Sequence, residues 1–163
     1  MPAAGGGRKP GLRTSCYDDE VMFKHILVST DFGEPAQQAQ QYAVELAQRS
    51  GSKLTLLHVY GVPTDYHADK EKWPLAEHGR AAQAALDEAV AKLRAVLPAA
   101  DGHIEVGDPR ERILAYAKQA DVDLIVVGTH GRRGFAHLLL GSVAEWVVRM
   151  SPIPVLTVST KHA

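Results

Sequence analysis

Short apolar runs alternate with longer amphipathic stretches from Phe23 onward, and this alternation constrains the fold more than any other feature of the sequence. Five runs have the length and β-branched content of strands, and they cover residues 25–30, 54–59, 103–106, 124–127 and 155–158. The stretches between them repeat apolar residues at the spacing of a helix face. The order is therefore β-α-β-α-β-α-β-α-β, which predicts an α/β fold with a parallel sheet and helices on both faces.

The ends of several helices are indicated by residues that favour those positions. Pro35 suits the first turn of the first helix, and Gly51 follows its last turn as a stop. In the third helix, Asp108 stands at the N-cap, Pro109 at the first position and Glu111 at the third. The other two helices are expected over residues 77–97 and from residue 142 onward.

The composition predicts one domain without a nucleic-acid or membrane partner. A chain of 163 residues can bury a single core. Its 18 basic and 19 acidic side chains leave a net charge of -1, whereas binding to nucleic acid or to an anionic membrane needs a basic surface. No apolar run approaches the length of a membrane span. Cys16 is the single cysteine, which excludes an internal disulfide and a cysteine-based zinc site, so we expect a soluble, cytoplasmic protein.

Residues 1–22 differ in composition from the rest of the chain. They are rich in glycine, proline and charge, and they show no hydrophobic period and no apolar core of a secretory leader. Such a segment cannot bury enough apolar surface to fold. We therefore predict a disordered tail over residues 1–22 and one domain over residues 23–160.

A ligand site is expected where the carboxyl ends of the strands meet. In an open parallel sheet, ligands bind beyond these ends, near the point where strand order reverses. The segments that follow the first, second and fourth strands are residues 29–33, 59–63 and 128–141. The chemistry of these segments therefore decides what the site binds.

The third of these segments has residues that suit a phosphate. Gly128, Gly131 and Gly141 allow backbone to approach a ligand closely, and Ser142 opens a helix whose free N–H groups and dipole favour an anion. Donor and cationic side chains of the same loop are His130, Arg132 and Arg133. Each feature also has a structural explanation, because Ser142 and Glu145 have the spacing of a capping box and the glycines suit turns. The combination favours a phosphate site.

The spacing G-x2-G-x9-G-S, from Gly128 to Ser142, resembles the C-terminal signature of the universal stress protein family. Residues 24–32 resemble the opening strand of this family, which has an aspartate at its end. Residues 123–131 resemble its fourth strand and loop, and residues 151–158 its closing strand. The resemblance implies a Rossmann-like, three-layer αβα sandwich with a five-stranded parallel sheet in the order 3-2-1-4-5.

The resemblance also implies that the chain binds ATP, with Mg2+ carried by the phosphates. In the ATP-binding branch of the family, adenine lies between the ends of the first two strands. Carried over to this sequence, the residues that border base and ribose are Thr30, Asp31 and Val59. The residues that line ribose and phosphates are Gly128, His130 and Gly131. The residues that hold the phosphates are Gly141, Ser142 and Val143.

Two further expectations follow from the resemblance. The family commonly forms homodimers through its last strand, which would begin at Pro154 and end at Val158 in this chain. An unpaired apolar edge strand would otherwise be an aggregation hazard. One position departs from the family pattern, since Ala144 stands where a second hydroxyl residue is frequent, so one contact to a phosphate or to metal-bound water is lost.

Three functions stay open from the sequence. The first is a nucleotide-binding stress-response protein in which ATP biases conformation or partner choice. The second is an enzyme, either a slow ATP hydrolase or an adenylyl-transferring relative, for which Asp31 and His130 are the candidate general bases. The third is a stress protein that binds no nucleotide and acts through its dimer surface. We assign no catalytic residues and no metal site built from side chains, and the absence of Walker A and G-x-G-x-x-G sequences argues against P-loop enzymes and dinucleotide dehydrogenases.

Overall fold

The computed structural model describes residues 22–61, 75–129 and 140–159, in which strands and helices alternate strictly. The strands are β1 (His25–Thr30), β2 (Lys53–Tyr60), β3 (Asp101–Val106), β4 (Leu124–Gly128) and β5 (Val155–Val158). The helices are α1 (Glu34–Ser50), α2 (Leu75–Arg94), α3 (Pro109–Gln119) and α4 (Ser142–Met150). None of the helices in these ranges has the length and apolar content needed to cross a membrane. The order of elements predicted from the sequence is confirmed.

All five strands belong to one parallel sheet with the order β3-β2-β1-β4-β5. β1 pairs with β2 on one side, where Ser29 lies opposite Leu57, and with β4 on the other, where Val28 lies opposite Val126. After β1 the chain builds the sheet outward to β3, then returns past β1 to add β4 and β5. Strand order therefore reverses between β1 and β4, which confirms the predicted order 3-2-1-4-5 and locates the switch point of the fold.

A layer of helices covers each face of the sheet. The core between the sheet and the pair α1 and α2 includes Ile26 and Val28 of β1. The core on the opposite face, under α3 and α4, includes Leu27 of β1 and Ile125 of β4. Alternate residues of a strand point to opposite faces, so successive residues of β1 are buried in different cores. This arrangement is the predicted three-layer αβα sandwich.

Small side chains allow α1 to lie close to the centre of the sheet. Its buried residues are Ala36, Ala39, Ala43 and Ala47, at the three- and four-residue spacing of one helix face. α1 stops at Gly51, as predicted, and the glycine N–H donates to the Ala47 carbonyl. Its left-handed φ of 69° turns the chain so that the N–H of Ser52 donates to the same carbonyl at 3.1 Å. The chain can then turn directly into β2.

α2 begins and ends earlier than predicted, at Leu75 and Arg94 instead of residues 77 and 97. The N–H groups of Val96 and Leu97 both donate to the carbonyl of Leu93, so the chain leaves the helix in a tight turn. The apolar spacing of the sequence continues to Leu97, but this side chain packs against the core from outside the helix.

β3 begins at Asp101, two residues before the predicted start at residue 103. Its second residue, Gly102, pairs with Leu56, and a Cβ added there would lie 2.6 Å from the Val90 side chain of α2. Glycine is unfavourable inside a strand, and the predicted strand began after this position. The close approach of α2 explains why the strand contains a glycine.

His25, at the start of β1, is a buried histidine whose two ring nitrogens both have partners. Its side chain lies 2.9 Å from the Ala120 carbonyl through Nδ1 and 2.8 Å from the Thr55 hydroxyl through Nε2. A carbonyl can only accept, so Nδ1 carries the proton and Nε2 accepts from Thr55. Burial lowers the pKa of His25, and the hydrogen bond to Ala120 opposes this shift only in part.

The lowered pKa of His25 predicts a loss of stability in mild acid. The unfolded chain takes up this proton near the ordinary pKa of 6.5, before the folded chain does, so the free energy of unfolding should fall as pH decreases below about 6.5. Urea unfolding between pH 7.5 and pH 5 measures the effect. A His25→Gln variant removes the titrating group, and its stability should fall less steeply over this range. Parallel curves for the two proteins would contradict the prediction.

Candidate functional site

A cleft opens at the carboxyl edge of the sheet, at the switch point between β1 and β4. Its volume is about 180 Å3, and its walls come from the ends of β1, β2 and β4 and from the first residues of α1, α3 and α4. Seven of the nine residues predicted for the nucleotide site line this cleft, namely Thr30, Asp31, Val59, Gly128, Gly141, Ser142 and Val143. The other two, His130 and Gly131, lie outside the described residues. The structure thus brings together residues from three separate segments, and their role in binding stays a prediction.

The turn from β1 into α1 holds Thr30 and Asp31 at the edge of the cleft. The Thr30 hydroxyl accepts the N–H of Phe32 at 3.0 Å, and the Asp31 carboxylate accepts the N–H of Gly33 at 2.9 Å. Phe32 adopts a left-handed φ of 62°, which is unusual for a residue other than glycine. Its ring packs on the imidazole of His58, with 4.5 Å between the ring centroids. These contacts keep a strained turn in one conformation beside the cleft.

α4 begins at Ser142, as the sequence predicts. Its N-cap is Gly141, which has no side chain that could bind the first N–H groups of the helix. The alternative explanation of Ser142 and Glu145 as a capping box is wrong, because Ser142 is not the N-cap and the Glu145 carboxylate accepts a hydrogen bond from Arg149 at 2.8 Å. The first hydrogen bond within the helix runs from the Glu145 N–H to the Gly141 carbonyl at 2.8 Å.

This start leaves the first backbone donors of α4 at the cleft. The N–H groups of Ser142, Val143 and Ala144 precede the first helical hydrogen bond, and all three residues line the cleft. The N–H of Gly141 donates to the Thr129 carbonyl, which ties the helix start to the end of β4. Backbone donors at the positive end of a helix dipole favour an anionic group.

The start of α3 forms the opposite rim and is capped as predicted. The Asp108 carboxylate accepts the N–H of Arg110 at 2.9 Å and also binds its guanidinium. The same arginine holds the pKa of Asp108 below its ordinary value. The guanidinium lies 5.7 Å from the ring centre of Trp146 on α4. The carboxylate at this rim is therefore neutralised by its neighbour.

Sequence analysis did not identify the apolar walls of the cleft, and it included Ser29 in the segment after the first strand without assigning it a contact. Leu57, Val127 and Ile113 form walls on the face of the sheet covered by α3 and α4, and Ser29 lies between the first two on β1. Strand alternation would have indicated the shared face of these side chains. To predict that these side chains meet in one cleft, the pairing of three strands and the position of α3 were also needed, and both belong to the tertiary structure.

Gly128 has a structural reason to be glycine. A Cβ added there would lie 2.7 Å from the carbonyl carbon and oxygen of Pro35 and 3.0 Å from the Ala36 nitrogen. These are backbone atoms of the first turn of α1, which cannot move aside as a flexible side chain can. The glycine therefore lets α1 approach the end of β4, whether or not a ligand is bound.

The described acidic and histidine side chains near the cleft do not form a metal site. Within residues 22–61, 75–129 and 140–159, no three His, Cys, Asp or Glu side chains come close enough to hold an ion. Asp31 is the one carboxylate among the described residues that line the cleft. A divalent cation would therefore need ligands from a bound molecule.

The chain matches the model of the universal stress protein family over residues 22–159, so it belongs to this family. It is 35% identical over 144 residues to a universal stress protein of Thermus aquaticus, and the match covers 84% of this chain and 99% of that protein. The solved structure of MJ0577, a protein of Methanocaldococcus jannaschii, has a TM-score of 0.74 and 29% identity and covers 88% of this chain and 100% of its own. A crystal structure of a universal stress protein in complex with cAMP has a TM-score of 0.67 and 27% identity, with 85% and 99% covered.

The contacts of Gly128 predict that Gly128→Ala destabilises the fold itself. The added Cβ would push against the backbone of Pro35, and overpacking of this kind costs about 1–3 kcal/mol. Urea unfolding of the ligand-free protein measures the loss. The matched control is Gly61→Ala, since a Cβ at Gly61 meets nothing within 4 Å. Equal unfolding midpoints for the two variants would contradict the structural explanation.

Proposed function

We propose that this protein is a nucleotide-binding universal stress protein whose cleft takes an adenine nucleotide, with ATP as the leading ligand, and that binding regulates its partners in a stress response. The observation that carries the proposal is the start of α4 at a glycine N-cap, whose first N–H groups line a cleft at the switch point of the sheet. The crystal structure of a relative in complex with cAMP supports an adenine nucleotide as the ligand class.

The two ends of the cleft suit the two ends of such a ligand. Val59 and the apolar walls near it suit a base, and the hydroxyl of Thr30 and the carboxylate of Asp31 suit the hydroxyls of a ribose. The backbone donors of Ser142 and Val143 suit phosphate oxygens. An amphipathic nucleotide would therefore lie with its base against the sheet and its phosphates at α4.

The residues proposed to bind the phosphates come from two sources, the structure and the family resemblance. Gly141 and Ser142 line the cleft, whereas His130 and Gly131 enter the proposal from the family resemblance alone. Ala144 is buried and has no hydroxyl to offer a phosphate or a metal-bound water. Mg2+ would be carried by the phosphates of ATP, because the described side chains supply no cation site of their own.

We further propose that the protein forms a homodimer through β5, at the edge of the sheet, over the segment that begins at Pro154 and ends at Val158. β5 contains no charged residue, and Thr157 is exposed. Val148 of α4, the helix that packs on β5, is 46% exposed. An uncharged edge strand beside exposed apolar side chains favours pairing with another strand. The cytoplasm stays the predicted location.

Isothermal titration of nucleotide-free protein with Mg-ATP, AMP and cAMP tests the ligand. Micromolar binding is expected, and Gly141→Val should weaken it at least tenfold because the side chain would enter the phosphate end of the cleft. Gly141 has φ of -57° and ψ of 149°, which any residue adopts, so the variant should fold normally. Its urea midpoint is the control for folding.

The outcomes of this titration separate the three functions. No binding by the wild-type protein would overturn the nucleotide proposal and leave a role of the dimer surface alone. Release of phosphate from ATP by the same samples would favour the slow hydrolase. Binding without turnover would support a regulatory protein.

Sedimentation velocity tests the dimer. The wild-type protein should sediment as a dimer, and Thr157→Lys should sediment as a monomer, because a charge on the edge strand opposes strand pairing. Val106→Lys is the matched control, since Val106 is also exposed but lies on β3 at the opposite edge. A dimer that survives Thr157→Lys would contradict the proposed interface.

A further inference from the structure

Ser29 is a polar residue on the floor of a cleft whose neighbouring walls are apolar. It is the fifth residue of β1, the central strand, and it pairs with Leu57 of β2. On its other side lies Val127 of β4, which follows the paired residue Val126. Leu57 is completely buried and Val127 is 2% exposed, and all three residues line the cleft.

The side chain of Ser29 points to the face of the sheet covered by α3 and α4. Leu27, two residues earlier on the same strand, belongs to the core on this face, and strand residues two apart share a face. Ile113 of α3 closes the space above the floor. The serine is therefore set among aliphatic side chains at the inner end of the cleft.

The Ser29 hydroxyl has no hydrogen-bond partner in the part of the chain that the structure describes, and it is not sealed away from the cleft. The neighbouring polar residues differ from it in this respect. The Thr30 hydroxyl accepts the N–H of Phe32, and the Asp31 carboxylate accepts the N–H of Gly33. Both of those side chains hold the turn, whereas the serine contributes nothing to the geometry of the fold.

We propose that Ser29 is a base-binding residue whose hydroxyl hydrogen-bonds the polar edge of the base of a bound nucleotide. This inference rests on the proposed function and adds a recognition contact to it. A heteroaromatic base is the part of a nucleotide that fits between aliphatic walls, and it presents ring nitrogens and exocyclic groups at its rim. A hydroxyl both donates and accepts, so it can pair with either kind of atom.

Ser29 and Ser142 are proposed to contact different parts of the ligand, the base and the phosphate. Ser142 begins α4, beside backbone donors that suit an anion, and its contact needs a phosphate. Ser29 lies on the sheet between two aliphatic side chains, and its contact needs only the base. Removal of each hydroxyl should therefore affect different ligands.

Calorimetric titration of the full chain with adenosine and with AMP, and ligand-observed NMR titration with free adenine, test this division. Ser29→Ala should weaken the binding of all three ligands by a similar factor of about five, the usual effect of one neutral hydrogen bond. Ser142→Ala should weaken the binding of AMP and leave adenosine and adenine unchanged. The urea midpoint of Ser29→Ala should equal that of the wild-type protein, because its hydroxyl supports no other group.

The results of these titrations distinguish failure of the Ser29 contact from failure of the proposed function. Unchanged affinities in Ser29→Ala, or a loss confined to AMP, would overturn the contact with the base while the proposed function stands. A wild-type protein that binds none of the three ligands, nor Mg-ATP, would overturn the proposed function and this inference together.

Discussion

The rest of the structure depends on the burial of β1 on both of its faces. Ile26, Leu27 and Val28 are completely removed from solvent although they point in alternate directions. A parallel strand in this position requires a helix layer above and below, and right-handed crossovers supply the two layers only if the chain builds the sheet first to one side and then to the other. The reversal of strand order, and the cleft that it opens, are consequences of that requirement.

The burial of the central strands on both faces also determines which side chains line the cleft. Strands that are covered on both faces are apolar, so the inner walls of the cleft are aliphatic, and polar groups enter at strand ends and helix starts. The strained turn at Phe32 and the open first turn of α4 lie on opposite sides of this apolar centre. A ligand that combines a flat apolar body with an anionic group matches this distribution, and such a ligand would stabilise the folded chain by mass action.

Local patterns in the sequence predicted the order of strands and helices, because hydrophobic period and helix starts are encoded by nearby residues. The strand order in the sheet and the residues of the candidate site came from the resemblance to the family. The errors have tertiary causes. Gly102 sits inside a strand because α2 approaches it, and Gly128 is glycine because the backbone of α1 approaches it. The N-cap of α4 is Gly141, and its N–H binds the end of β4, a contact that nearby residues do not reveal. Ser29 was included in the expected ligand segment but was assigned no contact, because its surroundings belong to three other elements.

The two edges of the sheet are not alike. β3 has Asp101 and Glu105 along its six residues, whereas β5 has no charge in its four. A protein that could pair with another copy through both edge strands of its sheet could form an open-ended filament. Because carboxylates protect the β3 edge, the proposed pairing through β5 would use the same surface on each copy and close at two subunits, so the difference between the edges would limit the size of the proposed assembly.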